Sequence, residues 1–385
     1  MVYILPTYPF LLGSMISLVG KTSALVSRSQ CPSARHSHGV RMLRLMSQST
    51  TSVSEIIQFQ AEEEMTKLAD LYRNNPRKNA PILMTSRDEA STFVRENIDA
   101  ALFDCDGVLY RTPDPIPGAK ECIESMMQQG KKVLFVTNNA GVNRQELREK
   151  LSKVLNVQGL TDDQMVSASY SAAQYLVEKL HNKEMAGNRV HVIGRQGLCD
   201  ELASFGFDIT GGPTSMEAEM DRQELADYDF PESPVHAIVV GHDVAFTFRK
   251  LSIANVLLQK NPSALFVATN RDSFDLVGKD GRHIPGNGSI VAALEYCSRR
   301  TAVNTGKPSP NLLGVIQREH NLDVKRTMFV GDRLDTDIKF GKDTGMASVL
   351  VMTGVTTAAS LAELGDGNDE EPLPDIIISH VGKLA

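Results

Sequence analysis

Cysteine is scarce in this chain, and its spacing excludes two kinds of small-protein scaffold. The 385 residues contain five cysteines, scattered without a CxxC pair. An odd and sparse set supports neither a disulfide framework nor a cysteine-ligated zinc site. A reducing compartment is the simpler expectation, and the length leaves room for two structural units plus extensions.

Acidic side chains are missing from residues 1–54, which carry five Lys or Arg and no Asp or Glu. The remainder therefore carries −12, the chain total of −7 less the +5 of this segment, and so acidic a body repels nucleic acid. The acid-free, Ser- and Arg-rich composition is typical of an organelle transit peptide and predicts a plastid or mitochondrial location. The alternative is a tail without an address on a cytoplasmic protein.

Long unbroken apolar runs are also missing. Residues 1–20 are apolar, but Pro6 and Pro9 interrupt them. The run is short and broken, so neither a transmembrane helix nor a membrane partner is expected.

Short apolar runs alternate with helical stretches along the rest of the chain. Strands are expected at residues 99–103, 131–136, 164–167, 327–330 and 347–352, with helices such as 118–129 and 144–155 between them. This alternation predicts an α/β fold with a doubly wound, parallel, Rossmann-like sheet. Ligands of such sheets bind beyond the carboxyl ends of the strands.

A second α/β pattern interrupts the first, with strands expected at residues 189–193, 237–240 and 264–268. It predicts an inserted domain. The expected organisation is an extension over 1–54, an amphipathic helix and linker over 55–79, the core over 80–171 and 275–385, and the insertion over 172–274.

Two carboxylates follow the first expected core strand, at Asp104 and Asp106 in DCDG. Residues two apart in an extended segment point the same way, and Gly107 then permits a sharp turn. Such a pair can hold a hard cation and can supply a nucleophile and an acid/base. A bare DxDG could equally be a turn that caps the next helix.

Other polar groups follow other expected strands. Thr137 and Asn138 suit phosphate oxygens, but such residues at a strand end are more often helix caps. Lys307 in TGKPSP, taken alone, is more often a solvated surface lysine. Neither TGKPSP nor GNGSIV satisfies a nucleotide-binding glycine motif, because Thr301 stands where a Walker loop needs its first Gly and GNGSIV lacks the third Gly of a dinucleotide fingerprint.

An acidic cluster, GDRLDTDI, follows a further expected strand. It contains Asp332, Asp335 and Asp337, whose mutual repulsion a metal would relieve, although acids also favour a solvated helix start. The four polar clusters together are stronger evidence for a catalytic site than any one of them. Hydrolysis of a phosphate monoester needs charge neutralisation together with nucleophilic and acid catalysis, and the combined set contains a group for each.

The order DCDGVL, VTNN, GKPSP and GDRLDTDI resembles the four motifs of the haloacid dehalogenase superfamily. It is most similar to the phosphoglycolate phosphatase and pyridoxal phosphatase branch, the 4-nitrophenylphosphatase-like group. The resemblance implies an α/β cap domain over the active site, Mg²⁺ as cofactor and a phosphoric monoester hydrolase. It also implies a small phosphorylated metabolite as substrate and a possible homodimer through the cap.

The resemblance also implies residue roles. Asp104 would be the nucleophile that forms an aspartyl-phosphate, and Asp106 the general acid and base. Thr137, Asn138 and Lys307 would hold the phosphoryl group. Mg²⁺ would be bound by the Asp104 carboxylate, the Asp106 backbone carbonyl and Asp332. Asp337 would orient Lys307 or a metal-bound water. Ala140 departs from the TNNS that many relatives show, which puts a phosphate contact in doubt.

Substrate choice would come from the cap. Asn270 in ATNRD resembles the GTNxD segment of phosphoglycolate phosphatases, although a turn residue is as good an interpretation. The expected substrate is 2-phosphoglycolate, a product of photorespiration in carbon-fixing plastids. Pyridoxal 5′-phosphate or broad 4-nitrophenylphosphatase activity is the alternative. A catalytically dead binding protein is the hypothesis from another class, and a phosphotransferase or mutase also remains open.

Overall fold

The computed structural model describes residues 52–74, 80–181, 188–213, 221–230, 234–277, 282–364 and 371–385. Nearly all of the expected targeting extension, residues 1–54, lies outside this range, as does the expected linker 75–79. Within the described ranges, no helix combines the length and the apolar character that crossing a bilayer requires.

The strands of the described part, numbered along the chain, are β1 Ile82–Leu83, β2 Ala100–Phe103, β3 Tyr110–Arg111, β4 Asp114–Pro115, β5 Lys132–Thr137, β6 Met165–Ser167, β7 Arg189–Ile193, β8 Asp208–Gly211, β9 Ala237–Val240, β10 Leu265–Ala268, β11 Phe274–Val277, β12 Arg282–Pro285, β13 Val303–Asn304, β14 Thr327–Gly331, β15 Ala347–Val351 and β16 Ile376–Ile378.

The α-helices are α1 Val53–Asn74, α2 Arg87–Asn97, α3 Ala119–Gln128, α4 Arg144–Leu155, α5 Ala168–Leu176, α6 Gln196–Ser204, α7 Arg222–Ala226, α8 Phe248–Lys260, α9 Asn287–Ser298, α10 Pro310–His320, α11 Lys339–Thr344 and α12 Ala358–Leu364. A π-helical turn, Leu334–Ile338, precedes α11.

The core is a seven-stranded parallel sheet in the order β1-β16-β15-β14-β2-β5-β6. Every residue of the central strands β2 and β14 is buried, as expected for a parallel sheet covered by helices on both faces. The predicted α/β, doubly wound fold is therefore confirmed. Because β14, β2 and β5 are neighbours, their carboxyl ends lie side by side at one edge.

The inserted cap domain contains its own five-stranded parallel sheet in the order β13-β10-β9-β7-β8. Its edge strand β13 pairs with β10, and α9 packs its buried residues Ile290, Val291 and Leu294 into the cap core. The expected cap boundary at residue 274 is therefore corrected to about residue 304. Two short antiparallel hairpins, β3–β4 and β11–β12, accompany the sheets.

Helix α1 packs on the outside of the core. Its buried residues Ala61, Met65 and Leu68 are spaced for one helical face. They form a cluster with Leu334 and Ile338, which belong to the π-helical turn after β14. The extra helix therefore covers the apolar side of the acidic motif.

Candidate active site

The adjacent strand ends bring the expected site residues together. Asp104 directly follows β2, Thr137 ends β5 and Asp332 directly follows β14. The backbone N–H of Asp104 continues the sheet by donating to Val330 O at 2.9 Å. Lys307 reaches the same place from the loop before α10, where Ser309 caps the helix and Pro310 occupies its first turn.

Lys307 is an almost completely enclosed charge, with 2% of its side chain exposed. Its Nζ contacts Asp104 Oδ1 at 2.5 Å and Asp337 Oδ1 at 2.8 Å, and it donates to Val136 O at 3.1 Å. Burial alone would lower the pKa of Lys307, but the two carboxylates outweigh burial and raise it. The lysine is therefore a permanent cation beside the nucleophile candidate.

Asp337 is held from both sides. While Oδ1 contacts Lys307, Oδ2 accepts hydrogen bonds from the backbone N–H groups of Asp332 at 3.0 Å and Arg333 at 3.2 Å. A Cβ on Gly331 would lie 2.1 Å from the Cβ of Asp337, so only glycine permits this approach. With both oxygens engaged, Asp337 positions Lys307 and the end of β14.

The carboxylates of Asp104, Asp332 and Asp337 each offer an oxygen within 4.8 Å of the others. Burial, and next the repulsion from Asp337, raises the pKa of Asp332 to about 7, and burial raises the pKa of Asp104 well above its usual range. A divalent cation would relieve this crowding of buried charge. The donor set of hard oxygens therefore fits Mg²⁺.

The free oxygens show which groups would hold the cation. Asp332 Oδ2 accepts from Val355 N–H at 2.7 Å, so Oδ1 of Asp332 is available to a cation. Lys307 contacts Oδ1 of Asp104, so Oδ2 of Asp104 is available as well. Among the hydrogen bonds of the described residues, none reaches the backbone carbonyl of Asp106. These three oxygens belong to the groups that the sequence motifs indicate. Asp337, with both oxygens occupied, is the weaker candidate ligand.

Asp106 differs from Asp104 in that its side chain is exposed, although protein surrounds it on most sides, as in a cleft. Its Oδ2 accepts a hydrogen bond from the Tyr110 hydroxyl at 3.0 Å. Desolvation in the cleft raises the pKa of Asp106, against the opposing effects of Lys150 and Tyr110. A carboxyl group that is reachable by solvent and has a raised pKa suits proton transfer.

Asn138 connects the core to the cap. Its Oδ1 accepts from the backbone N–H of Lys307 at 2.8 Å, and its Nδ2 donates to Asp272 Oδ1 at 2.8 Å. Asn270 in turn donates from Nδ2 to the Asn138 carbonyl at 2.5 Å. Thr137, whose Oγ1 accepts from Asn139 N–H, is buried at the adjoining strand end.

The contacts of Asn270 favour the turn interpretation that the sequence left open. Its Nδ2 donates to the backbone carbonyl of Asn138, and its Oδ1 accepts from the backbone N–H of Asp272 at 3.3 Å. Both ends of a buried amide are thus engaged in holding the cap loop on the core. The substrate-specificity role expected for Asn270 stays a prediction, since each of these contacts uses only one donor or one lone pair of the amide.

Two further residues of this junction were missed by sequence reasoning. Asp272 holds Asn138, and Arg333 donates from Nη1 to Phe274 O at 3.1 Å while lying 4.9 Å from the Phe274 ring. Both belong to segments that the motifs had marked, ATNRD and GDRLDTDI. Membership of a marked segment was the only available signal, since neither residue type has a distinctive pattern.

Comparison with known proteins identifies the family of the chain. Residues 101–208 match the model of haloacid dehalogenase-like hydrolases, and residues 304–384 match a second model of HAD-like hydrolases. Phosphoglycolate phosphatase 2 of Arabidopsis thaliana is 36% identical over 293 residues, which cover 76% of this chain and 94% of that protein. Human chronophin is 39% identical over 270 residues, 70% of this chain and 86% of that protein.

A solved structure shares the fold as well. The p-nitrophenyl phosphatase from Archaeoglobus fulgidus superposes with a TM-score of 0.62 at 27% identity, covering 75% of this chain and 98% of that one. The chain therefore belongs to the haloacid dehalogenase-like hydrolase family, as one of its phosphatases that cleave phosphoric monoesters.

Proposed function

We propose that this chain is a Mg²⁺-dependent phosphatase that hydrolyses a small phosphate monoester through an aspartyl-phosphate on Asp104. The observation that carries the proposal is the contact between Lys307 and Asp104, at 2.5 Å, beside the carboxylate of Asp332. It supplies an oriented nucleophile, a fixed cation and a metal-binding oxygen set at one point.

In the proposed first step, a carboxylate oxygen of Asp104 attacks phosphorus. The new O–P bond forms as the ester P–O bond breaks, and Asp106 gives its proton to the departing oxygen. Lys307 and Thr137 hold phosphoryl oxygens during the transfer. Mg²⁺, held by Asp104, Asp332 and the Asp106 carbonyl, would neutralise phosphoryl charge when bound.

In the second step, Asp106 removes a proton from water, which attacks the phosphorus of the aspartyl-phosphate. The Asp104–phosphate bond breaks, and inorganic phosphate leaves. The exposed position of Asp106 gives water access to this side of the site. One residue thus acts first as acid and then as base.

For the substrate we propose 2-phosphoglycolate, supported by the name of the Arabidopsis relative. A screen of purified protein with Mg²⁺ should include 2-phosphoglycolate, pyridoxal 5′-phosphate, glycerol 3-phosphate and 4-nitrophenyl phosphate. A clear preference for pyridoxal 5′-phosphate would overturn the proposed substrate and leave the proposed chemistry intact.

The chemistry itself is tested by assaying Asp104→Asn with 4-nitrophenyl phosphate. Asp335→Asn is the control, because it leaves Asp104, Asp106, Asp332 and Asp337 unchanged. Asp104→Asn should abolish turnover, and a chelator should abolish the activity of the unaltered protein. Retained turnover in Asp104→Asn would rule out the covalent mechanism. Phosphate release that a chelator does not affect would rule out the metal requirement.

We further propose that residues 1–54 target the protein to an organelle, on the basis of their acid-free composition. A fusion of residues 1–54 to a fluorescent protein should enter plastids or mitochondria. A diffuse cytoplasmic signal would contradict this proposal. The homodimer through the cap stays a prediction, and light scattering of the purified chain tests it.

A further inference from the structure

The side chain of Tyr110 lies between Lys150 and Asp106, in a contact that the proposed reaction has not yet used. Lys150 Nζ donates to the Tyr110 hydroxyl at 2.9 Å, and the hydroxyl donates to Asp106 Oδ2 at 3.0 Å. The Lys150 ammonium also lies 4.1 Å from the centre of the Tyr110 ring. The three residues thus form a hydrogen-bonded series, Lys150–Tyr110–Asp106, with one member each from helix α4, strand β3 and the loop after β2.

The direction of both hydrogen bonds is determined by the chemistry of the groups. An ammonium has donors and no acceptor, so the Tyr110 oxygen must accept from Lys150. The single hydroxyl proton is then left for Asp106. Burial raises the pKa of Tyr110 far above its usual value, so the hydroxyl keeps this proton.

Tyr110 and Lys150 are both held in place by the surrounding structure. Tyr110 is 1% exposed, and its ring packs in the main core cluster. Lys150 stands on α4, whose start is fixed by a capping box between Asn143 and Glu146. The hydroxyl is therefore presented to Asp106 by rigid elements, and phenylalanine would preserve the ring packing.

We infer that Tyr110, held by Lys150, is a positioning residue that determines which oxygen of Asp106 carries the transferable proton. Because the Tyr110 hydroxyl occupies Oδ2, Oδ1 is the oxygen of Asp106 that is left to give and to take the proton of the reaction. In the first step this proton passes from Oδ1 to the ester oxygen as the P–O bond breaks, while Tyr110 keeps its own proton. This inference rests on the function proposed above.

The test compares two esters of nearly the same shape, phenyl phosphate and 4-nitrophenyl phosphate, at saturating Mg²⁺. Phenolate is the more basic leaving group, so its departure depends more on the proton that Asp106 donates. For Tyr110→Phe we expect kcat/KM to fall about tenfold to a hundredfold with phenyl phosphate and far less with 4-nitrophenyl phosphate, as for loss of a hydrogen bond to a charged group.

Lys150→Met is the second variant, since Lys150 is only partly buried and methionine retains an unbranched apolar side chain at this position. It should shift the ratio of the two kcat/KM values in the same direction. Tyr170→Phe is the matched control, because Tyr170 is 2% exposed and donates its hydroxyl to the carboxylate of Glu319, away from Asp106. Its ratio should equal that of the unaltered protein.

An equal loss with both esters in Tyr110→Phe, or an unchanged ratio in both variants, would overturn the inference. This failure is distinct from failure of the proposed function, which would show as retained turnover in Asp104→Asn or as no Mg²⁺-dependent phosphate release at all. Thermal melting of each variant separates a loss of folded protein from a change in the ratio.

Discussion

The buried aspartates of this site have different roles because each has different hydrogen-bond and ion-pair partners. Asp337 has both oxygens engaged, Asp332 has one engaged by Val355 N–H, and Asp104 has one engaged by Lys307. The remaining free oxygens therefore lie on Asp104 and Asp332. The role of an aspartate in such a cluster is decided by which of its oxygens the protein already uses.

The glycine beside Asp332 is predicted to be essential for the metal site. A Cβ on Gly354 would lie 1.8 Å from Asp332 Oδ2, so Gly354→Ala must displace that carboxylate. We expect the Mg²⁺ concentration for half-maximal activity to rise about tenfold or more. The measurement is a Mg²⁺ titration of turnover with 4-nitrophenyl phosphate.

Gly314→Ala is the control for this substitution. Gly314 lies within α10, and the nearest atom to its added Cβ is the flexible end of Arg318, at 3.5 Å. Its Mg²⁺ dependence should match that of the unaltered protein. An unchanged Mg²⁺ dependence in Gly354→Ala would show that Asp332 does not hold the metal.

A cap carboxylate is predicted to disfavour anionic leaving groups. Burial is the main cause of the raised pKa of Asp106, and the charge of Asp275 adds to it. His242 Nδ1 lies 3.7 Å from Asp275 Oδ2. We expect Asp275→Asn to raise kcat/KM for 2-phosphoglycolate relative to 4-nitrophenyl phosphate severalfold, since the repulsion of two unit charges roughly 4 Å apart in water is about 1 kcal/mol.

Asp208→Asn, a change of an exposed cap carboxylate on β8, is the control for Asp275→Asn. It should leave the ratio of the two substrates unchanged. If Asp275→Asn leaves that ratio unchanged or lowers it, Asp275 does not face the leaving group.

At the scale of elements, α1 does more than cover apolar surface. Its cluster includes Leu334 and Ile338, which flank Asp335 and Asp337 in the π-helical turn. The carboxylate of Glu64 also accepts from Ala358 N–H at 2.6 Å, at the start of α12. The helix therefore supports the segments on both sides of β15.

Truncation of the α1 contact is predicted to destabilise the protein. Leu68 is completely buried, so Leu68→Ala should lower the free energy of unfolding by about 2–5 kcal/mol. Denaturant unfolding measures the loss. Val53→Ala on the same helix, where the side chain is 41% exposed, should change stability by about 0.5 kcal/mol or less. Equal effects of the two changes would show that α1 does not dock on the core.

At the scale of the whole molecule, polar side chains connect cap and core. Asn138 contacts Asp272 beside the site, and Arg144 Nε donates to Glu201 Oε1 at 2.9 Å between α4 and α6. Arg144 also lies 3.9 Å from the centre of the Tyr170 ring. Both contacts join elements that are distant in the sequence.

The contact at Asp272 predicts a pH dependence of stability. Burial raises the pKa of Asp272 from 3.8 to about 6. The folded state therefore holds the proton more tightly than the unfolded state, and the contribution of Asp272 to stability falls as pH rises from about 4 to 6. We expect Asp272→Asn to remove on the order of 2 kcal/mol of this decline.

Unfolding by denaturant at pH 4.5 and pH 7, with and without the substitution, measures this difference. Asp70→Asn, which changes an exposed carboxylate on α1, should keep the original pH dependence. The same decline in Asp272→Asn as in the unaltered protein would show that Asp272 titrates normally.

The sequence predicted much of the fold because the relevant signals are local. The strands Arg189–Ile193 and Ala237–Val240 and the helix Arg144–Leu155 begin and end where the pattern placed them. The cap boundary was wrong because β13 has only two residues, and its membership of the cap sheet depends on pairing with β10.

The sequence by itself determined which chemical groups follow the strands, and a parallel sheet then requires those groups to meet at one edge. Asp104, Thr137, Lys307 and Asp332 could be named in this way. Tertiary structure decided which atoms bond, because those contacts join residues far apart: 203 positions between Asp104 and Lys307 and 134 between Asn138 and Asp272. The contact of Tyr110 with Lys150 and the engagement of Asn270 depend on packing that no local pattern contains.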